Sequence, residues 1–179
     1  LSGLIATDSM LDYGRAYGAQ IALINGGGLR APLRQGPLNL GDLLAVLPFG
    51  NKVIIREFTG EQLLQALEHG VADYKGVGAP VLHTAGLRYV YNPALPSGKR
   101  VVRADLLGEG GTAKAIVPTA RYRVALVDYL ERRGDGYAML GKGTPVEAPD
   151  PVDVDVLAAY IQKHNPLTTL LPDRLQKQV

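Results

Sequence analysis

Cysteine and tryptophan are missing from this chain of 179 residues, phenylalanine occurs twice and histidine three times. Without cysteine there are no disulfides, thiolate metal sites, iron–sulfur clusters or cysteine nucleophiles. Three scattered histidines leave little material for a His-based metal centre. Charge of one sign is scarce as well: 19 basic and 17 acidic residues leave a net +2. That is too small a surplus for a nucleic-acid surface, although twelve of the basic residues are arginine. No run approaches the ~20 apolar residues of a transmembrane helix. The first residues, Leu1-Ser2-Gly3-Leu4-Ile5-Ala6-Thr7-Asp8, show no basic stretch followed by an apolar one, so no signal peptide is visible. No GxSxG, HExxH or CxxC motif is present, and a self-contained hydrolase site has no visible basis.

What remains is an ordinary soluble composition, 46% hydrophobic and 20% charged, in a length that suits one domain with a real core. Twenty-two glycines and twelve prolines make the chain turn-rich. It opens on Leu1 rather than Met, already in helical pattern, and reads as a trimmed or processed piece of a longer protein. The periodicity predicts a helix from Leu1 to about Tyr17, with Leu1, Leu4, Ile5 and Leu11 near one face. Ile21 to Ile24 is a continuous apolar run, as in a buried strand. A short helix follows at 41–47, closed by Pro48, and a β-branched strand at 52–58. Thr59 and Gln62 fit a capping box, and Leu63, Leu64, Leu67 and Val71 carry a helix over about 60–74. Strands are expected at 81–91, 100–107 and 121–127, with turns near 93–98 and 108–112. In the last of these Tyr122, Val124 and Leu126 alternate with Arg121, Arg123 and Ala125. A final helix is expected at 153–163 with Val154, Leu157, Ala158 and Ile161 inward. Helices and strands are mixed without regular βαβ alternation, which predicts an α+β domain with no internal linker.

The segment Asn25-Gly26-Gly27-Gly28-Leu29-Arg30 directly follows the first strand. Its glycines let a ligand approach main-chain N–H groups, and Arg30 offers a planar cationic fork for phosphate or carboxylate. It is neither a Walker loop nor a dinucleotide GxGxxG, and a tight turn with a surface arginine explains it equally well. Phe49, between Pro48 and Gly50, is either a plug into the core or a stacking platform for a flat ligand. Tyr129 precedes Gly134-Asp135-Gly136-Tyr137, an ordinary turn whose aspartate could also accept ribose hydroxyls. Asp150, Asp153 and Asp155 lack EF-hand spacing, and helix capping with N-terminal charge accounts for them. His69 is expected to serve its helix dipole or face solvent; His83 lies in a predicted strand and His164 at a helix end, and nothing pairs the two. Arg121, Arg123, Arg132 and Arg133 could line an anion site, but the expectation is that they face water.

Taken in order, NGGGLR, VLPFGN, FTGEQLLQALEHGV, LRYVYN and RGDGY closely resemble the C-terminal domain of the 5′-nucleotidase/UDP-sugar hydrolase family. The resemblance runs over nearly the whole chain, from Leu1 to about Leu175. It implies a single domain over residues 1–179, with mixed sheets and outer helices in four layers, α-β-β-α. It also implies a partner, an N-terminal metallophosphoesterase domain outside this chain, which holds two divalent metals and the catalytic residues. No catalytic or metal-binding residue and no cofactor is then expected in residues 1–179.

Carried over residue by residue, Asn25 and Gly28 resemble the family's contacts to the base, and Arg30 its phosphate-side arginine. Phe49 and Tyr129 resemble the aromatic clamp, and Asp135 the ribose-binding aspartate. Tyr129 stands where the family usually has Phe, so its hydroxyl needs a partner. Arg133 stands where a glycine is common, and a further family arginine would precede Leu1.

The leading expectation is the substrate-binding domain of an enzyme that hydrolyses nucleoside 5′-monophosphates to nucleoside and phosphate, inactive by itself. Its partners would be a nucleoside or nucleoside monophosphate and the metallophosphoesterase domain, with no nucleic acid and no membrane span. A non-catalytic nucleoside-binding module is the rival reading. So is the equivalent domain of a 2′,3′-cyclic nucleotide phosphodiesterase or UDP-sugar hydrolase. The resemblance implies a periplasmic, cell-surface or secreted location.

Overall fold

A computed structural model describes residues 2–72, 80–167 and 174–178. Ser2–Arg15 forms α1, close to the helix expected from the apolar pattern, and Ile21–Asn25 forms β1. All five β1 residues are buried. α1 covers one face of this strand, and a strand covered on both faces has no need to alternate. Leu40–Val46 forms α2, opened by a capping box between Asn39 and Asp42. Val53–Thr59 forms β2 and runs straight into α3, Gly60–Val71.

The box predicted at that junction is present: Thr59 Oγ1 accepts from the Gln62 N–H, and the Gln62 side chain accepts from the Thr59 N–H. Leu63, Ala66, Leu67 and Val71 form the buried stripe of α3. Residues 73 and 74, the expected end of this helix, lie outside the described residues.

The single strand expected at 81–91 is two strands. β3 (Leu82–Ala85) and β4 (Leu87–Tyr91) belong to different sheets. The break is Gly86, which adopts φ +69°, and a Cβ there would stand 2.0 Å from the Gln20 carbonyl oxygen. Only a residue without a side chain makes that turn against another segment's backbone. β5 (Val101–Leu107) and β7 (Arg121–Val127) lie where the β-branched runs predict them. Three short strands were not expected: β6 (Ala113–Ala115), β8 (Thr144–Pro145) and β9 (Leu175–Lys177). All lie at sheet edges, where two or three residues carry no readable period. α4 is a single turn, Asp128–Glu131, and α5 spans Asp153–Lys163 as predicted.

The strands form one sheet in the order β3-β1-β7-β2-β8 and another in the order β6-β5-β4-β9. Both are mixed, since β1 runs parallel to β7 and β4 parallel to β9. α1 lies on β1, β3 and β7 and packs against α5, whereas α3 touches β2 of the larger sheet and β5 of the smaller. The architecture is therefore α+β. Near α1, Arg174 is 8% exposed. Its guanidinium reaches Asp8 at 2.6 Å and the Thr84 carbonyl at 2.8 Å, tying the last strand to α1 and β3. Among the described residues no helix is long and apolar enough to cross a membrane.

Strand direction decides where the loops gather. β1 and β7 are parallel, with Leu23 beside Leu126, so both end at the same edge of the sheet. β2 is antiparallel to β7, with Val53 beside Val127, and starts at that edge. β3 starts there too, with Leu82 beside Asn25.

Candidate functional site

Asn25 is the last residue of β1 and is 2% exposed. Its Nδ2 donates to Asp135 Oδ2 at 2.6 Å, across 110 residues of chain. The other carboxylate oxygen, Oδ1, accepts from the Tyr129 hydroxyl at 2.8 Å. The hydroxyl that distinguishes Tyr129 from Phe therefore has a partner, and it is the aspartate expected to hold ribose. The Asp135 carboxylate raises the Tyr129 pKa above the ordinary phenol value by accepting that hydrogen bond, because a bond to the neutral form disfavours ionisation.

The loop that presents Asp135 is tightly wound. Arg133 takes φ +66° and Asp135 φ +52°, left-handed conformations for residues with a Cβ, each costing on the order of 1 kcal/mol. Arg133, at the position where the related pattern has glycine, thus keeps a backbone conformation that glycine adopts freely. Gly134 allows the tyrosine to close over the loop: a Cβ there would fall 2.2 Å from Cε1 of Tyr129.

His69 corrects the expectation for it. Rather than facing solvent or merely serving its helix end, its Nε2 lies 2.8 Å from the Asp135 carbonyl oxygen. A carbonyl only accepts, so Nε2 carries the proton in this contact. The His69 ring also meets Tyr137 edge-on, with centroids 4.6 Å apart. Tyr137 is fully buried, and its hydroxyl donates to the Pro80 carbonyl. No motif pointed to His69. The signal was the i, i+3 spacing that sets it on the same flank of α3 as the buried Ala66.

Gly26-Gly27-Gly28 forms one 3₁₀ turn. Gly28 is buried under Asn25, whose Oδ1 would stand 3.2 Å from a Cβ at that position. That same Oδ1 is buried with no donor. Arg30 is exposed, and among the described residues its side chain has no ion pair; its N–H donates to the Val46 carbonyl at 3.0 Å, joining the glycine loop to the end of α2.

Phe49 is 59% exposed, so it does not plug the core. Its loop is fixed on both sides. Val46 holds one side through Arg30, and Lys52 exchanges hydrogen bonds with Asp128, its N–H donating to Asp128 Oδ1 at 3.0 Å and its carbonyl accepting at 2.9 Å. Asp128 is the residue before Tyr129, which is 36% exposed. Two exposed aromatics therefore rise from adjacent strand ends, at the edge where Asn25 ends β1.

Of the remaining candidates, Arg132 and Arg133 border the Asp135 loop and the others lie elsewhere. Arg121 and Arg123 are exposed and flank Glu57 at 3.3 and 3.8 Å. Arg132 pairs with Asp128 at 3.2 Å, while Arg133 is exposed. His83 packs its ring over Gly3, and burial lowers its pKa. Of the three aspartates near α5, Asp153 and Asp155 stand in its first turn, as expected for N-terminal charge, but none of the three is the cap. The cap residue is Val152, and Asp153 is 1% exposed, with Oδ1 accepting from the Val154 N–H and Oδ2 buried without a partner. Burial raises its pKa to about 6. Among the described residues no three His, Asp or Glu stand together so as to hold a metal ion.

A family model of the 5′-nucleotidase C-terminal domain matches residues 2–142. The trifunctional nucleotide phosphoesterase protein YfkN of Bacillus subtilis is 32% identical over 163 residues, covering 91% of this chain and 11% of that protein. The snake venom 5′-nucleotidase of Naja atra is 31% identical over 150 residues, covering 80% of this chain and 28% of that protein. The chain thus spans less than a third of the length of either relative. The crystal structure of a 5′-nucleotidase precursor from Thermus thermophilus superposes with a TM-score of 0.91 at 34% identity, over 98% of this chain and 34% of that one. The Haemophilus influenzae NAD nucleotidase shares the fold at a TM-score of 0.79 and 24% identity, over 98% of this chain and 33% of that one.

Proposed function

The chain belongs to the 5′-nucleotidase C-terminal domain family, and on that premise we propose that it grips the nucleoside part of a nucleoside 5′-monophosphate. Its parent enzyme then hydrolyses the phosphoester to nucleoside and phosphate. One observation carries this reading: Asn25, Phe49 and Tyr129 share the sheet edge, and Asp135 is hydrogen-bonded into it. In this reading Phe49 and Tyr129 supply the stacking faces for a base, worth ~1–3 kcal/mol per base by truncation. Asp135 accepts sugar hydroxyls and Arg30 takes phosphate charge, while Asn25 and Gly28, both buried, stand behind them, Asn25 holding the Asp135 carboxylate in place.

Residues 1–179 act as one substrate-positioning domain. The partner is an N-terminal metallophosphoesterase domain elsewhere in the parent chain. Two divalent metals there supply the activation of water and the charge stabilisation. The described residues of this domain form no cluster suited to a metal ion, and its contribution is orientation, the entropic part of the acceleration. The similarity to a venom enzyme supports an exported parent, whether periplasmic, cell-surface or secreted.

The test is calorimetric titration of the chain with adenosine, guanosine, cytidine and uridine, and with their 5′-monophosphates. Saturable binding is expected, lost on Phe49→Ala or Tyr129→Ala. Equal and negligible binding by all three proteins overturns the reading. The chain alone, with added divalent metal, is expected to leave AMP intact; turnover would refute its role as a positioning domain only.

A further inference from the structure

Asp135 holds two hydrogen bonds before any ligand arrives. Oδ2 is turned to the amide of Asn25, which is 2% exposed. Oδ1 is on the accessible side and holds the Tyr129 hydroxyl at 2.8 Å. Tyr129 lies over Gly134, where a Cβ would be 2.2 Å from its ring, so ring and carboxylate are latched together by one loop. His69 fixes the Asp135 backbone through its carbonyl, at 2.8 Å. The carboxylate therefore has little freedom to turn toward a newcomer, whereas the partly exposed phenol is free to swing into water.

We infer that the Tyr129 hydroxyl is an internal competitor for the sugar subsite: a ribose hydroxyl reaches Asp135 Oδ1 by displacing the Tyr129 hydroxyl. This rests on the nucleoside-binding reading above and deepens it, making Tyr129 a specificity-determining residue through its oxygen as well as its ring. The exchange conserves hydrogen-bond type, since one hydroxyl donor to a carboxylate replaces another. Its net effect is to tax every ligand that uses Oδ1. A sugar without hydroxyls leaves the latch closed and escapes the tax. The tyrosine therefore narrows the preference for ribose over a sugar lacking both hydroxyls, compared with a phenylalanine at the same position. It also sets the ring in two positions, one bonded to Asp135 and one released by a hydroxylated sugar.

The experiment compares this chain with Tyr129→Phe, using the four ribonucleosides and their 2′,3′-dideoxy counterparts in calorimetric titrations. Phenylalanine keeps the stacking face, and Tyr129 is exposed enough that the fold does not depend on its oxygen. The ribose-over-dideoxyribose preference is expected to rise roughly ten- to 150-fold in Tyr129→Phe, the range for a hydrogen bond to a charged group. A preference that stays level or falls, with binding retained, overturns the latch and leaves the nucleoside reading standing. Failure of both proteins to bind any of the eight compounds overturns the nucleoside reading and the latch with it.

Discussion

His69 Nε2 stands 2.8 Å from the carbonyl oxygen of Asp135, a contact between α3 and a loop 66 residues further along the chain. It supports a residue held at φ +52°, a left-handed conformation that is uncommon for residues with a Cβ although aspartate is among those that tolerate it. Replacing His69 with Ala removes the donor and leaves the Asp135 side-chain bonds to Asn25 and Tyr129 and the loop's own backbone turns. Adenosine affinity is expected to fall roughly three- to tenfold, the value of one net hydrogen bond. His69→Gln, whose amide reaches a similar distance, should recover part of it. Titration calorimetry on the three proteins measures this; equal affinity in the Ala variant would show that the loop stands without His69.

Thr59 closes the N-terminus of α3 and has no role at the sheet edge that carries the site. Thr59→Ala leaves the Gln62 N–H without its acceptor, and the expected loss is about 0.5–2 kcal/mol of stability. Urea unfolding followed by circular dichroism reads it. Thr59→Ser should lie close to the starting protein, because the hydroxyl is what caps.

Asp153 makes stability depend on pH in a defined direction. Its folded pKa is raised from 3.8 to about 6 by burial, so between these values the folded state binds the proton and the unfolded state does not. The group's contribution is most favourable below pH 3.8 and declines as pH rises through about 6. Across that window the protein should lose roughly 1–3 kcal/mol relative to Asp153→Asn. Unfolding midpoints of both proteins at a series of pH values test the sign; parallel curves would mean that the carboxyl is not desolvated.

Arg174, just before β9, ties the smaller sheet to α1 and β3. Its guanidinium is nearly buried and satisfies Asp8 and the Thr84 carbonyl. Arg174→Met keeps the volume but strands the Asp8 carboxylate, a change expected to cost about 3–5 kcal/mol. Combining it with Asp8→Leu should recover much of that, since removing both members of a buried pair is far milder than removing one. Thermal melts of the single and double variants provide the cycle.

The local rules were legible wherever one element decided its own structure. Thr59 and Gln62 announced the start of α3, the spacing of Val154 and Leu157 outlined α5, and the apolar run at Ile21 marked a strand buried on both faces. They failed where a distant segment decided. Gly86 looks like one more residue in an apolar run until Gln20 passes 2.0 Å from where its Cβ would be. The strands β6, β8 and β9 are too short to show a period and exist because a neighbour offers a free edge. The candidate residues Asn25, Phe49, Tyr129 and Asp135 were found from their order along the chain. The partner of the Tyr129 hydroxyl was not, because it depends on the left-handed turn at Arg133 and Asp135. Nor was His69, whose part follows from where α3 meets that turn.

The bond between Asn25 and Asp135 joins residues 110 apart in the chain, and the strands around it meet only after β1, β2 and β7 have paired. No contiguous fragment that leaves out either end of that span retains the subsite. On the proposed reading, nucleoside binding is therefore linked to the global unfolding equilibrium. A nucleoside present at about a hundred times its dissociation constant should stabilise the whole domain by about 2.7 kcal/mol. The melting temperature of the entire molecule then becomes a gauge of whether a sugar has been recognised, with no activity assay needed.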